Sequence, residues 1–159
     1  MRKETGTGMS LYSIVLFFHV LLAIVAVGFN ASYGIWVARA AREPEHELHV
    51  LRGIKFLDDR FANPAYGLLL VTGLVMMRLG HLAFSTFWLA MALGLYGVLL
   101  VMGVAVYTPT LRRQIATLES SGATSADYRE LARRSTMVGV ALAVIVIGIV
   151  FLMVTKPTL

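Results

Sequence analysis

His19 is the first residue of the chain that could carry chemistry, and it lies inside a long apolar stretch. Neutral imidazole is a common metal ligand, and an ionisable side chain at membrane depth is costly enough to be a functional candidate. At about 100° per residue, Tyr12, His19, Ala26, Asn30 and Tyr33 fall near one line along a helix. We therefore expect this face to point inward, with Asn30 and Tyr33 as further cofactor-binding residues. The pattern leaves two roles open for His19: a metal ligand or proton relay, or a structural residue hydrogen-bonded to a neighbouring helix.

A second histidine and most of the methionines are predicted to lie on the same side of the membrane as His19. His81 is a second candidate metal ligand. Thioether and imidazole groups suit copper(I), whereas methionine also fills irregular apolar space. Both a copper patch and simple packing therefore stay open for the six of eight methionines that map to the outer half: Met1, Met9, Met76, Met77, Met91 and Met153.

The composition of the chain indicates that lipid, rather than water, surrounds these residues. Hydrophobic residues make up 58% of the 159-residue chain and charged residues 14%, against roughly 45–50% and 25% in soluble domains. Such a chain cannot hide its apolar surface in water, which excludes a soluble enzyme, a disordered tail and a collagen-like fibre. A membrane-crossing helix needs about 20 apolar residues. We predict an all-α, four-span transmembrane helix bundle, one integral membrane domain over residues 1–159, with spans at about 11–38, 61–79, 84–107 and 136–154.

Basic residues predict the orientation of these spans. Ten of the fourteen Lys and Arg residues fall in two segments, about 39–60 and 108–135. Because basic loops stay on the cytoplasmic side, we predict that both segments are cytoplasmic and both termini outside, in the plasma membrane. The positive charge then reports orientation in the lipid bilayer and does not indicate a nucleic-acid partner.

Local signals predict where the helices begin. Asn63–Pro64 is typical of a helix start, with Asn63 as N-cap. Pro109 fits either the first turn of a helix through Glu119 or a kink in the third span. Pro44 cannot continue the first helix. The residues after it predict a short amphipathic helix, either on the inner membrane surface or solvated, from Leu48, Leu51, Ile54 and Leu57.

The second loop and the glycines give further expectations. Ser120–Gly122 predicts a break, and the spacing of Thr124 and Asp127 predicts a capped helix that starts near Ser125. Glycines inside the second and third spans should let helices approach closely. These are Gly67, Gly73, Gly94, Gly97 and Gly103.

The order of several motifs resembles a known family. The motifs are His19 followed by Gly28, then Asn63–Pro64–Ala65, Phe87–Trp88–Leu89 and Val154–Thr155–Lys156–Pro157. Over roughly residues 10–158, this order resembles a family of small bacterial integral membrane proteins of unknown function. That family is similar to the HemJ-type protoporphyrinogen oxidases and to the membrane domain of copper resistance protein D.

The resemblance implies a cofactor. HemJ-type proteins bind haem b with a histidine of the first helix implicated as a ligand, and His19 occupies the matching position. Those enzymes also carry an arginine soon after the helix-one glycine and a lysine in helix three. The chain has no charge between Gly28 and Arg39 and no lysine in 84–107. The resemblance therefore implies a haem-binding scaffold rather than protoporphyrinogen oxidation.

The expected function is that of a small membrane protein that binds haem b or a porphyrin through His19 and is redox-active. The sixth iron position would be open, or be filled by His81, by one of Met76, Met77 and Met91, or by a second chain. One alternative is a non-enzymatic structural or assembly subunit that packs against itself or another membrane protein. The other is copper handling on the outer side. Whether the chain is an enzyme stays open.

Overall fold

The computed structural model describes residues 10–157, so Met1 and Met9 of the methionine set lie outside the described residues. The described residues contain no β-strand. The chain forms α1 (Leu11–Ala40), α2 (Pro44–Leu57), π1 (Asp58–Ala62), α3 (Asn63–Leu79), α4 (Phe87–Val101), π2 (Met102–Tyr107), α5 (Thr108–Ser121) and α6 (Ala126–Thr155). α2–π1–α3 and α4–π2–α5 each run without a break, which gives four long rods. All four are long and apolar enough to cross a membrane, and the all-α, four-span prediction is confirmed.

The second rod begins much earlier than the sequence suggested. It starts at Pro44, and Asn63 lies inside it with helical dihedrals of −61° and −46°. Asn63 is therefore not an N-cap, and that prediction is wrong. Its side chain instead donates a hydrogen bond from Nδ2 to Asp58 Oδ2 at 3.1 Å. The third rod begins at Phe87, three residues later than expected.

The second and third rods each contain a short π-helical segment. Each segment ends at the residue directly before an X-Pro pair. π1 precedes Asn63–Pro64, and π2 precedes Thr108–Pro109. A proline inside a helix has no N–H to donate, and its ring clashes with the carbonyl four residues earlier. Widening the preceding turn relieves that clash, which explains why the prolines do not end either rod. Pro109 thus occupies the first turn of α5 as expected, in a helix that continues from the third span.

The apolar residues of α2 pack inside the protein rather than on a membrane surface. Leu51 and Ile54 form a buried cluster with Tyr33 of α1, Leu111 of α5 and Tyr128 of α6. Around this cluster, Arg52 of α2 pairs with Glu119 of α5 at 2.8 Å, and the Tyr128 hydroxyl donates to Glu47. The amphipathic helix is confirmed, and because α1, α5 and α6 cover its apolar face, that face does not lie on a membrane surface. We call this side of the bundle the basic end (residues 39–60 and 108–135). The opposite side is the terminal end (Ser10, residues 80–86 and Lys156).

The turn between α5 and α6 lies where the sequence predicted it, but the residue that caps α6 differs by one position. α5 ends at Ser121, and Gly122 adopts a left-handed conformation with φ 76°. The N-cap of α6 is Ser125, whose hydroxyl accepts a hydrogen bond from the Tyr128 amide at 3.2 Å. Thr124, the predicted capping residue, lies one position too early.

Within the spans, α1 packs mainly on α3, and α4 packs mainly on α6. The first contact buries Ala26, Ala65 and Leu69, and the second buries Leu99, Leu142 and Val146. Close approach at glycine is confirmed only at Gly73, where an added Cβ would lie 3.4 Å from His19 Cε1. The prediction is wrong within one chain for the other four, where an added Cβ would meet no atom within 4 Å: Gly67, Gly94, Gly97 and Gly103.

Candidate functional sites

The polar face of α1 points toward the rest of the bundle, as its spacing predicted. Tyr12 lies against the end of α3, where its ring would be 3.3 Å from a Cβ on Gly80. Ala26 and Tyr33 are buried. His19 and Asn30 each make a hydrogen bond to α3. The face therefore forms most of the contact between the first two spans.

His19 is held by a hydrogen bond to Thr72 of α3. Its Nδ1 lies 2.8 Å from Thr72 Oγ1, and the Thr72 hydroxyl is 2.8 Å from the carbonyl of Leu68 and 3.1 Å from that of Leu69. A hydroxyl has one proton and can also accept. When Thr72 donates its proton to one of these carbonyls, it accepts a hydrogen bond from His19 Nδ1–H. In that tautomer Nε2 keeps a free lone pair.

Asn30 and Tyr33 do not join His19. Asn30 lies eleven residues further along α1, or about 17 Å at 1.5 Å per residue. Its Nδ2 donates to the Tyr66 hydroxyl at 2.6 Å and to the Ala26 carbonyl at 3.0 Å. Tyr33 belongs to the buried cluster at the basic end. All three residues lie on one face of α1, but Asn30 and Tyr33 lie further toward the basic end than His19.

His81 also stays apart from His19. It is exposed in the turn after α3 and adopts a left-handed conformation with φ 51°. It lies eight residues beyond Gly73, the residue that His19 contacts, and most of that distance is helix at about 1.5 Å per residue. One iron atom therefore cannot bind both side chains of a single chain in this arrangement. Among the methionines, Met77 is buried on α3 and Met91 is exposed on α4.

A small cavity with a mostly apolar lining and a few polar side chains lies between the two π segments, and sequence reasoning missed it. Its volume is about 30 Å³, and its polar lining consists of Asn30, Asp58, Asn63, Tyr66, Tyr107 and Thr108. Asp58 is only 6% exposed. Tyr33 is 4% exposed and its hydroxyl has no partner among the described residues, but it does not line this cavity. We call the cavity, with its lining residues, the π cavity. The burial of Asp58 could have been suspected from its helical phase, four residues after Ile54 and seven after Leu51.

No group of three or more His, Cys, Asp or Glu residues in the described part of the chain is arranged to hold a metal ion. Any metal centre built from these residues would therefore need methionine, tyrosine, amide or backbone ligands, a cofactor, or a second chain. This requirement applies both to the His19 region and to the π cavity.

Comparison with known proteins identifies the family. Residues 13–157 match the model of the family described as "Predicted integral membrane protein (DUF2269)". No curated protein and no solved structure matches the chain. Because the match covers most of the sequence, the chain belongs to this family of integral membrane proteins.

Proposed function

We propose that this family member binds haem b or a related porphyrin in the terminal half of the bundle, with His19 as an axial ligand. The observation that carries the proposal is the hydrogen bond from His19 Nδ1 to Thr72. Histidines that ligate metals nearly always donate their other ring N–H to a protein acceptor, which fixes the ring and strengthens the ligand. Thr72 supplies such an acceptor and leaves Nε2 free. The resemblance of its motif order to a family that is similar to HemJ-type proteins adds support.

The space around His19 restricts where the macrocycle would sit. Neither the π cavity nor the 150 Å³ cavity beside Arg113 and Arg134 is lined by His19. Enclosed sites for ligands of this size need several hundred Å³. A porphyrin would therefore bind on the outside of the bundle. There, His19 is half-buried and its neighbours Leu16 and Val20 are exposed. His19 would hold the porphyrin, and exposed apolar side chains such as Leu16 and Val20 would contact it.

The second axial position follows from the same geometry. His81 is too far along the axis to complete the iron site in one chain. Met76 and Met77 lie one turn beyond Gly73, on the side of α3 that His19 contacts. One of these thioethers, or His19 of a second copy, would be the second ligand, or that position would stay open. When bound, the haem supplies one-electron chemistry, and the chain's own contribution is to orient the imidazole and exclude water.

A visible absorption spectrum tests the proposal. The full chain is produced in cells supplied with a haem precursor and purified in detergent, and a Soret band is expected. His19→Ala should abolish the band, and His81→Ala should leave it unchanged. Thr72→Val keeps the ligand but removes the acceptor of its Nδ1–H, so we expect haem affinity to fall about 10–100-fold. Absence of a Soret band in the wild-type protein would contradict the proposal.

An assembly role is a second candidate, and one observation favours it. Gly94 and Gly97 are exposed on α4, and a Cβ added at either position would meet no atom within 4 Å in the described part of the chain. Small residues on a lipid-facing helix mark places where another helix approaches. Gly97→Leu should then reduce oligomer size in detergent while His19→Ala leaves it unchanged. A monomeric wild-type protein over a range of detergent concentrations would exclude self-assembly.

A further inference from the structure

Asp58 in the π cavity is a buried carboxyl group that has no ion-pair partner in the described part of the chain. It accepts one hydrogen bond, from Asn63 Nδ2. Lys55, three residues earlier, makes its ion pair with Asp59. Burying a carboxylate without a counter-charge is strongly unfavourable. A cation bound beside Asp58 would stabilise its charged form, whereas a proton would remove the charge.

One amide oxygen in the lining of the cavity also accepts no hydrogen bond. Asn30 uses its amide nitrogen for both of its hydrogen bonds, so its Oδ1 accepts none within the described structure. Asn30 lines the cavity together with Asp58. Its Oδ1 is therefore available to a ligand bound there.

The π2 segment supplies a backbone oxygen in addition. The Thr108 amide donates to the carbonyl of Gly103, five residues earlier. In the same register the carbonyl of Val104 would need the amide of Pro109, which has no N–H. Gly103 and Val104 both line the cavity. Such π-helical turns frequently occur at functional sites.

We propose that the π cavity is a binding site for a monovalent cation of the size of Na⁺, with Asp58 as the charged ligand. Hard cations take carboxylate, carbonyl and hydroxyl oxygens, which are the groups that converge here. One carboxylate neutralises one positive charge, whereas a divalent ion would leave a net charge buried in the bundle. The volume of about 30 Å³ holds one or two water-sized particles and no organic molecule.

Thermal unfolding in detergent tests the site, followed by the fluorescence of Trp36 and Trp88. NaCl replaces choline chloride stepwise at constant total salt, so that ionic strength does not change. A ligand that binds only the folded state raises Tm in a saturable way, by about 3–6 °C at a tenfold excess over Kd. LiCl and KCl series under the same conditions report size selectivity. Equal Tm values in sodium and choline would overturn the proposal.

Asp58→Asn should remove the sodium response because it removes the charged ligand. The matched control is Asp59→Asn, the adjacent carboxylate, which is exposed and should keep the full response. Should Asp58→Asn not fold, Tyr107→Phe provides the second test, because Tyr107 lines the cavity, with an expected several-fold increase in the apparent Kd for Na⁺. A sodium response that survives Asp58→Asn would overturn the site. A response to pH with none to sodium would show that a proton, and not a cation, neutralises Asp58.

Discussion

Replacing Leu51 by alanine tests whether α2 is part of the folded core. Leu51 is 2% exposed and contacts Tyr33, Leu111 and Tyr128 from three other helices. Truncating a leucine in such a position costs about 2–5 kcal/mol, because its contacts are lost and a cavity remains. For a chain of this size that corresponds to a fall in Tm of roughly 5–15 °C. A helix lying on a membrane surface would lose far less.

The assay is thermal unfolding in detergent, with Leu68→Ala as the matched control. Leu68 lies on the same rod and undergoes the same chemical change, but its side chain is 52% exposed toward the lipid. We expect its Tm to fall by a small fraction of the shift seen for Leu51→Ala. Equal shifts for the two variants would refute the packing of α2 against α1, α5 and α6.

Three further substitutions test the basic end. Ser125→Ala should destabilise the protein by about 1 kcal/mol through loss of the α6 cap, measured as a lower Tm, whereas Thr124→Ala should not; the reverse order would contradict the cap assignment. Gly122→Ala should cost about 1 kcal/mol in the same assay because of its positive φ, and an unchanged Tm would argue against that turn. Arg52→Ala should change the free energy of unfolding by less than about 1 kcal/mol, because its ion pair with Glu119 is exposed. A larger loss that Glu119→Gln reproduces would show that the pair is shielded from solvent.

The architecture was predictable because hydropathy alone determines which segments cross lipid. Four apolar stretches and the loops between them correspond to four helical rods. The direction of the α1 polar face was also predictable, since helical periodicity places His19, Ala26 and Tyr33 on one side. The same periodicity could not reveal that Thr72, in another span, forms a hydrogen bond with His19.

Other features depend on contacts that a sequence does not display. The charges from Lys55 to Arg60 suggested a loop, yet the helix continues through them because Asp58 turns inward while Asp59 and Arg60 remain exposed. The π segments have no signature beyond the prolines that follow them. Glycine composition could not distinguish Gly73, which faces a partner helix, from Gly94 and Gly97, which face outward.

The orientation of the four rods in the membrane is the central claim that labelling can test most directly. The chain has no cysteine, so single replacements at Ser121 (basic end), Ser85 (terminal end) and Val144 (the exposed middle of α6) each introduce one thiol. A membrane-impermeant maleimide applied to intact cells should label Ser85→Cys at once. Ser121→Cys should react only after permeabilisation, and Val144→Cys in neither condition. Labelling of Ser121→Cys in intact cells would contradict the predicted orientation, and ready labelling of Val144→Cys would contradict the four-span bundle itself.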